Sequence, residues 1–264
     1  MGSFSFSGVG LHSGAECSLR VSPCRGLVLA AEGLEAPIRE LGLNGTGRGS
    51  DYIFPGGVRI RTCEHVLAAL IGMGVWGARL EVEGGEMPAL DGCAAEVSAA
   101  VLENSEPCGD APEPFRLSTA LRVGDESRFV AAFPAEQFCI TCVIGYDSPH
   151  IGTQMLDFAW DPQDFYDGLA RARTFAMAAD IEALRAHGMA LGGSLDNAIL
   201  VEETGVRALG GLRWPGEFVR HKTLDLIGDM AALGCPLHAH LVAARAGHEL
   251  HLRMVERLRA LMRR

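Results

Sequence analysis

The sequence has no apolar run of the roughly 18–20 residues that a helix needs to cross a bilayer, and its first residues lack the basic start and apolar stretch of a secretion signal. We therefore expect a cytoplasmic protein without a transmembrane segment. Positive charge is also scarce, because 23 Lys and Arg residues stand against 33 Asp and Glu residues and leave a net charge of −10. This excludes the broad basic surface of a general nucleic-acid-binding protein, although a few local cations could still hold a small anion.

Cysteine is sparse and scattered. The eight cysteines are typical of reduced, mostly buried thiols. Cys139 and Cys142 form a C-x-x-C pattern, but they stand in the strand-like run FCITCVIGY, where residues three apart point to opposite faces. We therefore do not expect a redox or zinc role for this pair.

The overall composition is that of a globular protein. Of the 264 residues, 48% are hydrophobic and 21% are charged, which suits one large domain or two of ordinary size. The acidic run ENSEPCGDAPEP at 103–114, with its Pro and Gly residues, is the best candidate for a linker. It predicts an N-terminal domain of residues 1–106 and a C-terminal domain of residues 107–264.

Both predicted domains show strand-like runs that are followed by a helix, a strand and a helix. Apolar spacing and end signals predict helices at 61–74, from Asp91 onward, from Asp161 and Pro162 onward, at 175–188, at 215–233 and at 247–262. The order repeats in the two halves. It predicts an α+β fold of two tandem domains with similar topology, each a β-sheet packed against two helices.

The helix predicted at 215–233 carries a candidate pair of metal ligands. His221 and Asp225 are four residues apart, so their side chains share one face about 5–6 Å from each other. An imidazole with a carboxylate suits Zn²⁺. The same pair could also be an ordinary His–Asp hydrogen bond.

Two further segments offer groups of the same chemistry. Glu64 and His65 precede the apolar stripe of the helix at 61–74, where they could be a base and a ligand or a solvated pair. His248 follows Gly247 at the start of the last helix, where it could face a cleft, cap the helix or lie at the surface. Asp229 could orient His248 and raise its pKa, as suits a general acid.

Six motifs occur in one order: SGVGLHSG at 7–14, RTCEHVLAALIGMG at 61–74, EMPALDGCAA at 86–95, RARTFAMAADIEALRAHGMALGGSLDNAIL at 171–200, EFVRHKTLDLIGD at 217–229 and AGH at 246–248. Together they resemble the UDP-3-O-acyl-N-acetylglucosamine deacetylases of lipid A synthesis, over nearly the whole chain. The resemblance implies a zinc-dependent hydrolase, with Fe²⁺ as the alternative metal. It would remove the N-acetyl group from UDP-3-O-acyl-N-acetylglucosamine to give UDP-3-O-acyl-glucosamine and acetate, the committed step of that synthesis.

The resemblance also implies a fold and a metal site. The helices of the two domains would face each other across the active site, and the second domain would carry a βαβ insertion near residues 175–202. We expect a monomer. The metal ligands implied by the resemblance are His65, His221 and Asp225.

The implied catalytic residues are Glu64 as general base, Thr174 as the hydroxyl that helps to hold the oxyanion, and His248 as the second catalytic histidine, oriented by Asp229. Lys222 matches the cation near the sugar and diphosphate. An apolar channel for the acyl chain would be lined by residues of the insertion, Phe175, Ala178, Ile181, Leu195 and Leu200, each of which could instead be ordinary core. Gly193 and Tyr146 complete the expected substrate contacts.

Some features stand outside these assignments. The segment LNGTGRGSDYIF at 43–54 is more polar and richer in glycine than we expect beside an acyl chain. We interpret His12, in the turn GLHSG, as structural, and His238 and His240 as neighbours in a sheet rather than ligands. Two other functions stay open: a diverged homologue acting on another N-acetyl sugar conjugate, and a non-catalytic nucleotide-sugar-binding protein, which would have no need of a base at Glu64.

Overall fold

The computed structural model describes residues 2–45, 48–104 and 111–263. In the first half the strands are Phe4–Val9 (β1), Glu16–Pro23 (β2), Leu27–Ala31 (β3), Leu34–Pro37 (β4), Gly42–Gly45 (β5), Ser50–Ile53 (β6), Arg59–Ile60 (β7) and Ala78–Glu83 (β8). The helices of this half are Glu64–Gly72 (α1) and Ala95–Asn104 (α2).

In the second half the strands are Phe115–Arg116 (β9), Leu121–Gly124 (β10), Phe129–Pro134 (β11), Cys139–Gly145 (β12), Thr153–Ala159 (β13), Phe175–Met177 (β14), Ile199–Glu202 (β15), Gly205–Arg207 (β16) and Leu237–Ala244 (β17). The helices are Pro162–Gly168 (α3), Ala178–Ala186 (α4), Glu217–Met230 (α5) and His248–Met262 (α6). Within the described part of the chain, no helix combines the length and the apolar content needed to cross a membrane.

The two halves repeat one sheet topology. The first sheet has the order β1-β2-β8-β3-β4 and the second the order β10-β11-β17-β12-β13, with β9 also paired to β17. In each, the third strand runs parallel to the fourth, and the other neighbours along this order are antiparallel. The third strand also lies between two helices along the chain, α1 and α2 or α5 and α6. The predicted α+β fold of duplicated topology is thus confirmed, whereas the domain boundary at 106 and 107 lies outside the described residues and stays a prediction.

The insertion in the second half is a βαβ unit. Strand β14 pairs in parallel with β15, α4 connects them, and β16 extends the small sheet. The predicted helix at 175–188 is wrong over its first three residues, because Phe175–Met177 pair with Ile199–Val201 and form β14. The expected end is found, since Gly188 has a φ of +69° just beyond α4.

Helices α1 and α5 pack directly against each other. Every residue of α1 is buried, as expected for a helix that is apolar on almost all sides. Gly228 of α5 lies against the start of α1, where an added Cβ would stand 2.0 Å from the carbonyl oxygen of Glu64. Because only glycine permits this approach, it brings the polar groups of α5 beside Glu64 and His65.

One predicted helix start is wrong, and one sheet was not predicted. Helix α2 begins at Ala95 rather than after Asp91, because the Asp91 carboxylate accepts hydrogen bonds from the backbone N–H of Cys93 at 3.2 Å and from Arg213 at 2.9 Å. The polar segment at 43–54 contributes to a three-stranded sheet, β5-β6-β7, that the sequence did not predict. The predicted start of α3 is confirmed, since the Asp161 side chain caps it.

Candidate active site

A cavity of about 280 Å³, here called the polar pocket, opens where α1, α5 and the start of α6 meet. Most of the residues that the sequence suggested for catalysis or binding line it: Glu64, His65, Tyr146, Thr174, Phe175, His221, Lys222, Asp225 and His248. Asp229 lies behind His248 and is fully buried. The polar pocket therefore unites side chains from both halves of the molecule.

Three buried side chains form a cluster that could hold a metal ion. His65 Nε2 lies 3.4 Å and His221 Nε2 lies 3.3 Å from the same oxygen of Asp225, Oδ1. The two imidazole rings are 4.9 Å apart between centroids, and the candidate ligand atoms all lie within 4.8 Å of one another. The cluster joins α1 to α5.

The polar atoms of this cluster fit a divalent cation. His221 Nδ1 donates a hydrogen bond to the Ala172 carbonyl at 3.0 Å, so its Nε2 lone pair faces the cluster. Among the residues that the structure describes, neither His221 Nε2 nor Asp225 Oδ1 has a hydrogen-bond partner, although both atoms are buried. Unpaired buried polar atoms are costly, and a cation between them would satisfy both. Burial lowers the pKa of His221 to about 3, which keeps the neutral form that a ligand requires.

Lys222 secures the other oxygen of Asp225, since its Nζ donates to Oδ2 at 2.7 Å. Burial alone would raise the pKa of Asp225, but His221 and Lys222 outweigh it and hold the pKa well below the ordinary value. The carboxylate is therefore charged. The Lys222 ammonium also lies 5.7 Å from the centroid of the Phe175 ring, within reach of a cation–π contact.

Glu64 lies beside the cluster with one oxygen held and the other facing His248. Its Oε2 accepts a hydrogen bond from the backbone N–H of Ser50 at 2.9 Å. Its Oε1 lies 3.8 Å from His248 Nε2. Burial raises the pKa of Glu64 above its ordinary 4.5, although His248 and His65 oppose this. A carboxylate of raised pKa is better suited to accept a proton near neutral pH.

His248 begins α6 and is oriented by Asp229. Its Nδ1 donates to Asp229 Oδ2 at 2.8 Å, which leaves Nε2 directed toward Glu64 and Asp225 at 3.8 and 3.7 Å. Burial alone would lower the pKa of His248, but Asp229 and Glu64 outweigh it and raise the pKa to about 9. The imidazole is therefore protonated at neutral pH and presents an N–H to the polar pocket.

Asp229 has two partners that the sequence reasoning missed, His251 and Ser50. His251 Nδ1 donates to Asp229 Oδ2 at 2.7 Å, and the Ser50 hydroxyl bonds to Asp229 Oδ1. His251 follows His248 by three residues on α6, so helical spacing was a usable signal. The group of Asp229, His248 and His251 also has the spacing of a metal site, but both Nδ1 atoms already donate to the carboxylate, so hydrogen bonds satisfy it.

A second cavity, of about 200 Å³ and here called the apolar cavity, adjoins the polar pocket. Its lining includes Phe175, Ile181, Leu195 and Leu200, which the resemblance implied for the acyl channel, together with Gly193 and Leu184. Ala178 lies outside its lining set. The two cavities share Leu11, Arg48, Thr174, Phe175 and Ala176. An acyl chain that starts at the polar pocket could therefore continue into the apolar cavity.

Besides Arg48, two further arginines line the polar pocket, Arg128 and Arg245. Arg128 Nε donates to the Arg245 carbonyl at 3.1 Å, which joins the loop before β11 to the turn after β17. Arg245 has a φ of +48°, an uncommon backbone conformation for a residue with a side chain. No local spacing in the sequence links these residues, which lie far apart along the chain.

The other histidines that the sequence suggested as structural lie outside the His65–His221–Asp225 cluster. The His12 backbone N–H donates to Glu86 at 2.8 Å, and its ring nitrogen lies 3.3 Å from the Ala190 amide. On β17, His238 lies 2.8 Å from Arg116 and His240 lies 2.9 Å from Thr141, between their polar atoms.

The chain is similar to known proteins along nearly its whole length. Residues 1–260 match the family model described as UDP-3-O-acyl N-acetylglycosamine deacetylase. The UDP-3-O-acyl-N-acetylglucosamine deacetylase of Myxococcus xanthus (strain DK1622) is 38% identical, over 96% of this chain and 83% of the relative. Proteins with the same description from Anaeromyxobacter dehalogenans (strain 2CP-C) and Phenylobacterium zucineum (strain HLK1) are 37% and 36% identical, each over 97% of this chain, and over 85% and 90% of their own length.

Proposed function

The chain belongs to the family of UDP-3-O-acyl-N-acetylglucosamine deacetylases. We propose that deacetylation takes place in its polar pocket. It is an enzyme, a deacetylase of lipid A biosynthesis that removes the N-acetyl group from UDP-3-O-acyl-N-acetylglucosamine and releases acetate. The non-catalytic alternative is thereby set aside. The remaining question is which residues perform the hydrolysis.

One observation carries the assignment of the site. The cluster of His65, His221 and Asp225 has two buried atoms without hydrogen-bond partners in the described part of the chain, and Glu64 and His248 lie beside it. A hydrolytic metal site needs a few protein ligands, an open position for water and a nearby base. This arrangement supports such a site better than it supports a structural hydrogen-bond network.

We propose that His65, His221 and Asp225 hold Zn²⁺, with Fe²⁺ as the alternative. Two imidazoles and one carboxylate are a donor set that suits a borderline divalent cation. When bound, the metal supplies a Lewis acid that lowers the pKa of water and polarises the amide carbonyl. Asp225 and Glu64 raise the pKa of His65 against the lowering effect of burial, so metal binding there releases a proton.

Glu64 is proposed as the general base. It accepts the proton of the water whose oxygen attacks the carbonyl carbon of the acetamide. Because burial raises its pKa, the Glu64 carboxylate accepts this proton more readily than an exposed carboxylate would. Ser50 holds the other oxygen of the carboxylate and fixes its direction.

His248 is proposed as the group that faces the departing nitrogen. An amide nitrogen is a poor leaving group until it is protonated, and a positioned acid contributes typically about 10²–10⁴-fold. The imidazolium with pKa about 9 supplies this proton from Nε2 as the carbon–nitrogen bond breaks. The products are then acetate and the free amine, and Asp229 stabilises the charged ring until the ring gives up this proton.

Thr174 and the basic side chains complete the proposed contacts. Thr174 lines both cavities, and its backbone N–H donates to the Gly92 carbonyl at 2.8 Å. Its hydroxyl is proposed to help hold the carbonyl oxygen as negative charge develops there. Lys222, Arg128 and Arg245 give one part of the polar pocket positive charge, although the whole chain is acidic. We propose that this part receives the diphosphate of the UDP group.

The apolar cavity is proposed to hold the 3-O-acyl chain, with contacts from Ile181, Leu195 and Phe175. Each methylene that leaves water contributes about 0.8 kcal/mol. Gly193 and Tyr146 are proposed to contact the substrate where they line the apolar cavity and the polar pocket. We also propose a cytoplasmic monomer. The seven described cysteines are free, as is typical of a reducing compartment. The monomeric state is tested by analytical ultracentrifugation.

The proposed function is tested by product analysis. Purified protein is incubated with UDP-3-O-acyl-N-acetylglucosamine, and acetate and the amino sugar are quantified together. We expect equal amounts of the two products. A matched substrate without the 3-O-acyl chain should react with a much higher KM, because it cannot use the apolar cavity. Release of acetate without the free amine, or no acetate at all, would contradict the proposal.

A further inference from the structure

Ser50 contacts the proposed base through its backbone. This residue is fully buried at the start of β6. Its N–H donates to Glu64 Oε2 at 2.9 Å, and its carbonyl accepts a hydrogen bond from the Cys63 N–H at 3.1 Å. The two bonds fix the first turn of α1, and with it the direction of the Glu64 carboxylate.

The Ser50 side chain contacts the proposed acid on the opposite side. Its Oγ bonds to Asp229 Oδ1 and lies 3.2 Å from His248 Nδ1. A hydroxyl has one hydrogen and a carboxylate only accepts, so Ser50 donates to Asp229. Its lone pairs then face the Nδ1–H of His248, which donates mainly to Asp229 Oδ2 at 2.8 Å.

The segment around Ser50 is built for close approach to both groups. An added Cβ at Gly49 would stand 3.0 Å from Glu64 Oε1, and one at Gly45 would stand 2.9 Å from the backbone N of Glu249, next to His248. Larger residues would push β5 and β6 away from the site. This accounts for the polar, glycine-rich character of 43–54, which the sequence alone left unexplained.

We propose that Ser50 is a positioning residue for both proton-transfer groups, fixing Glu64 through its backbone and the Asp229–His248 pair through its hydroxyl. The inference rests on the proposed roles of Glu64 and His248. Without the hydroxyl, Asp229 Oδ1 loses its donor in a buried setting, where an unsatisfied charged acceptor is costly. The carboxylate then turns and carries His248 with it, and small displacements of a reacting group cost rate.

The direct test compares Ser50→Ala with Ser50→Thr. Ser50→Ala keeps the backbone bond to Glu64 and removes the hydroxyl, so we expect kcat to fall by about 10–100-fold, as is typical when a supporting hydrogen bond is lost. KM and the metal content should not change. Ser50→Thr retains a hydroxyl on the same carbon and should recover most of kcat. A normal kcat in Ser50→Ala, or no recovery in Ser50→Thr, would overturn the proposal.

A control variant and a pair of variants of equal shape distinguish loss of the Ser50 hydroxyl from a general loss of protein stability. Ser98 is equally buried, but its hydroxyl has no hydrogen-bond partner within residues 2–45, 48–104 and 111–263, so Ser98→Ala should leave kcat unchanged. If Ser50→Ala does not fold, Ser50→Val is compared with Ser50→Thr, because valine has the shape of threonine without the hydroxyl. A kcat equal in these two variants would overturn the role of the hydroxyl.

A measurement without turnover separates this inference from the proposed function. The Nδ1–H proton of His248 is followed by NMR in the intact protein and assigned with His248→Gln. We expect it to exchange with water faster in Ser50→Ala than in the wild type or Ser98→Ala. If exchange is faster in Ser50→Ala but the wild type releases no acetate, the contact of Ser50 with the Asp229–His248 pair is supported and the proposed function is contradicted. Unchanged exchange in Ser50→Ala would overturn the positioning role even if acetate is released.

Discussion

The polar pocket and the apolar cavity share lining residues, but their side chains interact in different ways. In and behind the polar pocket, three of the four carboxylate oxygens of Asp225 and Asp229 accept hydrogen bonds, and the fourth, Asp225 Oδ1, faces the Nε2 atoms of His65 and His221. Most of the side chains that line the apolar cavity are apolar, among them Ile181 and Leu195. Its contacts have no required direction.

This difference decides what substitutions do in each region. Hydrogen bonds and metal ligands depend on individual atoms, and a buried group that loses its partner keeps the full cost of having left water. Apolar contact scales with area, so one aliphatic side chain can replace part of another. We therefore expect large, all-or-none effects in the polar pocket and graded effects in the apolar cavity.

The largest expected effect comes from the proposed metal ligands. His221→Ala should remove the bound metal and lower turnover by roughly 10⁴-fold or more, because the Lewis acid is lost. Metal per chain is measured by elemental analysis, beside acetate release. His240→Ala is the control, since this histidine contacts Thr141 outside the cluster and should leave both unchanged. Full metal content in His221→Ala would remove this histidine from the site.

Glu64→Gln is the next test and separates catalysis from metal binding. The amide cannot accept the proton of the attacking water, so kcat should fall by about 10²–10⁴-fold. Metal content should stay at the wild-type level, because Glu64 is not among the proposed ligands. Acetate release that is undiminished in this variant would remove Glu64 as the base.

Glu86 tests whether a buried carboxylate held by hydrogen bonds makes the free energy of unfolding depend on pH. Burial alone would raise the pKa of Glu86, but hydrogen bonds from Ser13, His12 and Thr62 outweigh it and lower the pKa below the ordinary 4.5. A lowered pKa in the folded state means that the stabilisation is present above pH 4.5 and is lost as the pH falls through the folded value. Glu86→Gln should therefore cost about 2 kcal/mol of unfolding free energy near pH 7.

The pH series sharpens this prediction. The difference in urea-unfolding free energy between wild type and Glu86→Gln should shrink as the pH is lowered from about 7 toward about 3. Glu40→Gln is the control, because the Glu40 side chain is 61% exposed. A difference that does not change with pH would show that shape, rather than charge, is the contribution of Glu86.

The smallest effect is expected in the apolar cavity. Ile181→Ala should lower kcat/KM for a long-chain substrate by about fivefold, equivalent to roughly 1 kcal/mol of lost contact. Neither kcat nor the kinetics of a substrate without the acyl chain should change. Leu209→Ala is the control, since Leu209 is 66% exposed and does not line the cavity. An equal loss of kcat/KM with both substrates would show that Ile181 supports the fold and does not contact the acyl chain.

Local patterns were enough for some features. Apolar spacing predicted α1 and α5, and the spacing of His221 and Asp225 put two donor groups on one face. The strand Phe175–Met177 was missed because it exists only through its pairing with β15. In the same way, the start of α2 depends on Arg213, which lies in the other half of the chain.

Other site residues had no local signal at all. Arg128 and Arg245 meet at the polar pocket from separate elements. Ser50 stands in a segment that is more polar and richer in glycine than expected beside an acyl chain, and its neighbours Glu64, Asp229 and His248 come from three different helices. Serine is so common in turns and loops that its type alone indicates nothing.

The sequence by itself determined the family, the α+β class and the types of donor and acid–base groups, because motifs and periodicity are local properties of a chain. Only the tertiary structure decided which of these groups meet. Gly228 lets α1 and α5 approach, and this approach places His65 beside Asp225 while β6 fills the space between Glu64 and Asp229. Such convergence depends on the packing of segments distant in the chain, which no short window of residues records.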